Sequence, residues 1–196
     1  VIHTEFFTSW IRNFEPLNPA SIPRWPTSGG IYEPLYIYNP VQTEWVPWLA
    51  TDYTWQDNNK KLLFTIRSGV QWSDGKPFTA HDVAYTFNLK KKHPALDTRN
   101  SWGYLESVDA VSDTKVEVNF NRVYVPGVSA IAEQIIIPKH IWRELEDPLK
   151  FSNPNPVGTG PFTEVLRFNS QVWELGKNPN YWQLGKPHIE KLIFPT

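Results

Sequence analysis

The alternation of apolar and polar positions is clearest over residues 61–70. Leu62, Phe64 and Ile66 alternate there with Leu63, Thr65 and Arg67, the period of two that sends one set to each face of a strand. Ser68-Gly69 interrupts the ladder, and Ser73-Asp74-Gly75-Lys76-Pro77 reads as a turn. The period then changes. Ala80, Val83, Ala84 and Phe87 recur at i, i+3, i+4 and i+7, one apolar stripe of a helix. Thr79 is placed to cap that helix, with Asp82 three residues on as an acidic capping-box partner. Lys90-Lys91-Lys92-His93 closes it where cations suit the C-terminal dipole, and Pro94 bars continuation. The lysine run is expected to be a solvated helix end.

Alternation returns over 115–120, with Val116, Val118 and Phe120 on one face. Ile135-Ile136-Ile137, bounded by Pro138, predicts a buried strand or strand end, and 139–146 a helix. Pro154, Pro156, Gly158, Gly160 and Pro161 make a stiff connection before two last strands at 171–175 and 191–194. The first fifty residues, broken by Pro16, Pro19, Pro23, Pro26, Pro34, Pro40 and Pro47, read as loop-rich. Strands and helices interleave, without internal repeat, low-complexity tract or flexible linker. The fold class predicted is mixed α and β.

Charge and composition narrow the function. The chain of 196 residues carries 19 basic and 20 acidic side chains, a net charge of −1. That balance excludes the basic footprint of a nucleic-acid binder. No apolar run approaches the roughly 18–20 residues of a membrane-spanning helix. The absence of Cys removes disulfide scaffolds, thiol nucleophiles and cysteine-ligated metal sites. His3, His81, His93, His140 and His188 form no metal-ligand spacing, so neither metal nor cofactor is expected. Val1-Ile2-His3-Thr4-Glu5 shows no basic segment followed by an apolar stretch and does not start with Met, which reads as a processed or trimmed chain.

Catalytic patterns are weak. Gly158-Thr159-Gly160-Pro161 lacks the spacing of either phosphate-cradling fingerprint, and its proline removes a backbone donor. No Gly-x-Ser-x-Gly elbow occurs, and Glu144, Glu146 and Asp147 read as a solvated helix end rather than a glycosidase pair. What stands out is the aromatic content, 11 Phe, 10 Trp and 8 Tyr. Those rings either pack a core or present flat faces to a ligand.

Several segments resemble one family. Leu63-Phe64-Thr65-Ile66-Arg67-Ser68-Gly69-Val70-Gln71-Trp72-Ser73-Asp74-Gly75, with the capped helix that follows, resembles the signature of extracytoplasmic solute-binding proteins of ABC importers, in the family that binds oligopeptides, nickel and oligosaccharides. Pro156-Val157-Gly158-Thr159-Gly160-Pro161-Phe162 and Asn178-Pro179-Asn180-Tyr181-Trp182 are similar to its later motifs, in the same order. Phe7-Thr8-Ser9-Trp10-Ile11-Arg12-Asn13-Phe14-Glu15-Pro16 is similar to the opening of the chitin- and cello-oligosaccharide group, as are Ile31-Tyr32-Glu33-Pro34-Leu35 and Asn100-Ser101-Trp102.

The resemblance implies a longer, two-lobed periplasmic-binding-protein-like fold. Residues 1–196 would be the N-terminal portion of its first lobe, a mixed sheet with flanking helices and long loops. It implies a non-catalytic protein, periplasmic or otherwise extracytoplasmic, that captures a β-linked oligosaccharide between its lobes and delivers it to the permease of an ABC importer. An oligopeptide is the alternative ligand. A glycan-acting enzyme or carbohydrate-binding module is the alternative of another class.

Sugar recognition needs flat rings and planar polar groups. Arg12 is the first candidate, as a fork of donors to hydroxyls; its structural alternative is an ion pair with Glu15 or Glu33. Asn13 lies beside it, and Trp10 and Trp102 are candidate stacking platforms. Tyr32 and Glu33 sit beside the Gly29-Gly30 turn and are candidates to face a cleft. Trp25, Trp45, Trp48 and Trp55 lie in the proline-rich region, while Trp72, Trp142, Trp173 and Trp182 are assigned to packing. Asp74 and Gly75 are explained by turn chemistry.

Overall fold

A computed structural model describes residues 11–195. The strongest local signals become the central elements. Strand β4 (Lys61–Ile66), named in a chain order that begins with β1 (Tyr36–Asn39), β2 (Glu44–Pro47) and β3 (Ala50–Gln56), buries Leu62, Phe64 and Ile66 on one face. Strands β5 (Leu105–Ser112) and β6 (Lys115–Phe120) complete a four-stranded antiparallel sheet in the order β3-β4-β6-β5. Leu62 sits opposite Val118 and Phe64 opposite Val116, so two apolar rows share one face.

Helix α1 (Ala80–Lys92) covers that face with Ala80, Val83, Ala84 and Phe87, all buried. Its start is built as the sequence predicts. Thr79 Oγ1 accepts from the His81 N–H at 3.3 Å, and Asp82 Oδ2 accepts from the Thr79 N–H at 2.9 Å. Asp82 Oδ1 also accepts from the Lys139 N–H at 2.9 Å, which fastens α1 to the backbone just after Pro138. Lys91 and Lys92 are solvated at the far end, but Lys90 is not. It is 5% exposed and donates to Gln134 Oε1, and burial lowers its pKa to about 8. The position falls on the sheet side of α1, so its ammonium is drawn toward a buried amide acceptor.

A three-stranded antiparallel sheet, β7 (Phe162–Phe168), β8 (Val172–Lys177) and β9 (Lys191–Pro195), packs into the same core. Trp173 stacks on Phe194 at 4.9 Å. The connection 156–161 locks this sheet to the rest. Gly160 N–H donates to Ile31 O at 2.9 Å and Ser73 N–H to Gly158 O at 2.9 Å. A Cβ on Gly158 would lie 2.0 Å from Ile31 O, and one on Gly160 2.3 Å from Gly30 O, so backbone touches backbone where only glycine fits.

The mixed α and β class, with flanking helices and long loops, is as expected, and every named strand pair is antiparallel. The proline-rich start is less loop-like than its sequence. It holds a two-stranded ribbon of β1 and β2, and then the edge strand β3. Ile135–Ile137, expected as a strand, makes only one bridge, Ile135 to Pro34. The Ile137 N–H is taken by Thr86 Oγ1 at 3.2 Å instead of a ladder. The helix expected over 139–146 ends early, as α3 (Lys139–Trp142), and follows a short α2 (Gly127–Ala132). Replacing Gly158 by Ala should lower unfolding stability by more than about 2 kcal/mol, read as a fall in the urea midpoint at constant slope.

Candidate ligand site

The candidate residues divide between framework and open surface. Trp10 lies outside the described residues. Asn13 is 9% exposed and closes a local turn: its Oδ1 accepts from the Glu15 N–H at 3.0 Å, and its Nδ2 donates to Ser21 Oγ at 2.5 Å. Tyr32 is fully buried, its hydroxyl accepting from Asn153 Nδ2 at 2.7 Å, and desolvation pushes the phenol well above its ordinary pKa.

Glu33 is 1% exposed and is the centre of an aromatic cage. Its Oε1 accepts from Trp48 Nε1 at 2.7 Å and from the Tyr181 hydroxyl at 3.2 Å, and its Oε2 from Trp182 Nε1 at 3.1 Å. Trp48 and Trp182 meet edge-on at 5.3 Å, and the Arg67 guanidinium lies 4.6 Å from the Trp182 ring centroid. Trp182, assigned to packing, does pack against the core but also donates its N–H to this carboxylate.

Arg12 and Trp102 are only half-buried. Arg12 pairs with neither Glu15 nor Glu33. Its Nε donates to Pro154 O and its Nη2 to Asn155 Oδ1, both at 2.6 Å. Glu15 is turned inward onto the Leu17 and Asn18 N–H groups at 2.7 and 2.5 Å. Trp102 donates Nε1–H to Phe87 O at 2.9 Å, and the Lys91 ammonium stands 4.2 Å from its ring centroid. Among the proline-region tryptophans, Trp25 is 46% exposed, while Trp45, Trp48 and Trp55 are half-buried against the core.

Arg12 lines a polar cavity of about 280 Å³, together with Ser73, Asp74, Asn155, Thr163 and Glu164. Asp74 serves the turn as expected, accepting from the Lys76 N–H at 3.2 Å, and its second oxygen bonds His140 Nε2 at 2.8 Å. A register shift between Phe162 and Glu164 in β7 buries Phe162 and Thr163 in succession and leaves Glu164 outward at the rim. Thr163 and Glu164 carry no motif, and sequence reading passed over them. Of the donors to Glu33, Tyr181 and Trp182 stand in a motif of the resembled family, while Trp48 stands in the proline-rich region. Among the described residues, no three His, Asp or Glu side chains are grouped to hold a metal ion.

Burial raises the Glu33 pKa to about 7, and the Trp48 and Trp182 donors limit that rise. The folded state therefore holds the proton more tightly than the unfolded chain. This contribution to stability is fully present below about pH 4.5 and is lost as pH rises through about 7. Glu33→Gln should flatten that part of the profile, with a smaller loss of melting temperature between pH 5 and pH 8 than in the wild type. The raised carboxyls of Glu15 and Asp82 keep some slope in both.

Residues 44–196 match the family described as bacterial extracellular solute-binding proteins, family 5 Middle. The chain is 30% identical to the nickel-binding periplasmic protein of Escherichia coli K12, over 97% of this chain and 37% of that protein. It is 29% identical to the peptidoglycan-binding protein YepA of Agrobacterium fabrum, over 88% of this chain and 30% of that one. The whole chain superposes, with a TM-score of 0.88 and 30% identity, on 37% of a Thermotoga maritima periplasmic oligopeptide-binding protein of an ABC transporter, crystallised with mannohexaose. The chain thus spans between about a third and two fifths of the length of these relatives. No helix among the described residues is long and apolar enough to cross a membrane. The chain belongs to family 5 of the bacterial extracellular solute-binding proteins.

Proposed function

We propose that this chain is the N-terminal portion of the first lobe of a protein that captures an oligopeptide outside the cytoplasm and passes it to the permease of an ABC importer. The observation that carries this is the superposition of the whole chain on the Thermotoga oligopeptide-binding protein. Capture would follow closure of two lobes on the solute, with this chain forming part of one wall. Arg12 and Trp102, the candidates with accessible side chains, are the contacts it would contribute. Asn13, Tyr32 and Glu33 would act as framework, because their polar atoms are already engaged. The peptide reading is supported by the oligopeptide-binding name of that relative and by a cavity at Arg12 whose described lining joins polar groups to Pro156, Val157 and Val165 without an aromatic ring.

A second reading, the β-linked oligosaccharide of the cello- and chito- type, is favoured by one observation. The Thermotoga relative was crystallised with mannohexaose, so a protein similar to this chain takes a sugar chain. Titration of the full-length protein, followed by tryptophan emission, separates the two. Oligopeptides of two to six residues should give a saturable change, and nickel(II) alone none. A saturable response to cello- or manno-oligosaccharides without any to peptides would move the assignment to sugars. Release of reducing ends from those sugars would overturn binding without catalysis altogether.

A further inference from the structure

Two opposite charges face the Arg12 cavity without neutralising each other. Among the described residues the Arg12 guanidinium bonds uncharged oxygens, the Pro154 carbonyl and the Asn155 amide. The Glu164 carboxylate, exposed at the rim, has no hydrogen bond or ion pair among the described residues. Arg12 and Glu164 line the same cavity yet form no ion pair. Thr163, 3% exposed, contributes to the wall, and its hydroxyl has no partner among the described residues. The unmet buried hydroxyl is costly, and the two charges of opposite sign beside the same cavity keep bonding capacity for a solute.

We propose that this cavity binds a small zwitterion of the size of a free amino acid, with Arg12 holding its carboxylate and Glu164 its ammonium group. The inference deepens the solute-binding reading, on which it rests, by naming the chemistry taken at Arg12. A simple anion would meet the Glu164 and Asp74 carboxylates, and a bare cation would meet Arg12. Among the described residues no aromatic side chain lines the cavity to stack on a pyranose. A zwitterion satisfies both charges at once. Guanidinium and carboxylate match as a planar fork, and charge-assisted bonds of this kind are the stronger class. The volume of about 280 Å³ lies at the lower edge of the roughly 300–1,000 Å³ typical of ligand pockets, which suits a ligand this small. Asp74, already engaged by His140 and the Lys76 N–H, stays a wall.

Calorimetric titration of the full-length protein with L-alanine and L-glutamine tests this, with N-acetyl-L-alanine amide as the uncharged probe. Both amino acids should bind saturably and the blocked analogue should not. Arg12→Gln and Glu164→Gln should each weaken binding at least tenfold, and Thr163→Val severalfold. Glu164 is exposed and unpaired, so its variant remains informative if the Arg12 variant folds poorly. Amino-acid affinity unchanged in Glu164→Gln would overturn the proposal. So would its absence from a protein that still binds peptides or oligosaccharides, an outcome that leaves the solute-binding reading intact. A folded protein that binds none of these solutes would overturn both.

Discussion

The buried carboxylate of Glu33 is the constraint around which the described part of the chain is arranged. An ionisable group that is 1% exposed is tolerated only if its oxygens find donors within the protein. Those three donors come from two places in sequence: Trp48 between β2 and β3, and Tyr181 with Trp182 between β8 and β9. The contact therefore closes chain separations of 15, 148 and 149 residues at one point. Just before Glu33 the backbone of Gly30 and Ile31 is pressed by Gly158 and Gly160, and Tyr32 is held by Asn153. The stretch from Gly30 to Glu33 is thus gripped by the connection into β7, by the approach to β3, and by the link between β8 and β9. Both larger sheets are positioned against it.

The same chemistry explains the tryptophan content without assigning every ring to a ligand. Trp72, Trp142 and Trp173 are at most 1% exposed and fill the two core clusters. Trp48, Trp102 and Trp182 lie at the core's margin, where the ring packs and the N–H reaches an oxygen. An indole can do both because its apolar body and its single donor point in different directions. A lobe with long proline-broken loops has many such margins. Phe would fill them but leave the carboxylate of Glu33 short of two donors.

What could be read from the sequence follows from how local each cause is. Helix α1 was legible because its cap, its apolar stripe and its proline stop all act within fifteen residues. Strands β4 and β6 were legible because both are central and half-buried, so the pleat is written as alternation. Strand β3 was not: it is the edge of its sheet and mostly exposed, and polar residues there carry no period. The ribbon of β1 and β2 has the same difficulty, and Ile135–Ile137 the opposite one, an apolar run buried without a partner strand. Glu33 was picked out for facing a cleft and instead lies inside. Nothing within ten residues of it shows the Tyr181 and Trp182 donors. Arg12, weighed against an ion pair with nearby acids, finds its partners at Pro154 and Asn155.

Glu33 and Arg12 are both charged, both tied to distant segments, and differ in what is left unmet. Around Glu33 the geometry is closed: each oxygen has at least one donor, the rings of Trp48 and Trp182 shut out water, and no further atom is needed. Such a group sets register and position, and a ligand would have to break it to enter. Around Arg12 the geometry is open. Two bonds to neutral oxygens fix where the guanidinium points, yet its charge is not neutralised, and Glu164 and Thr163 stand beside the same space with bonding capacity to spare. Burial and distance alone would rank Glu33 above Arg12. Unmet capacity facing a cavity is what separates the surroundings of Arg12 from those of Glu33, and the proposed amino-acid site rests on that difference.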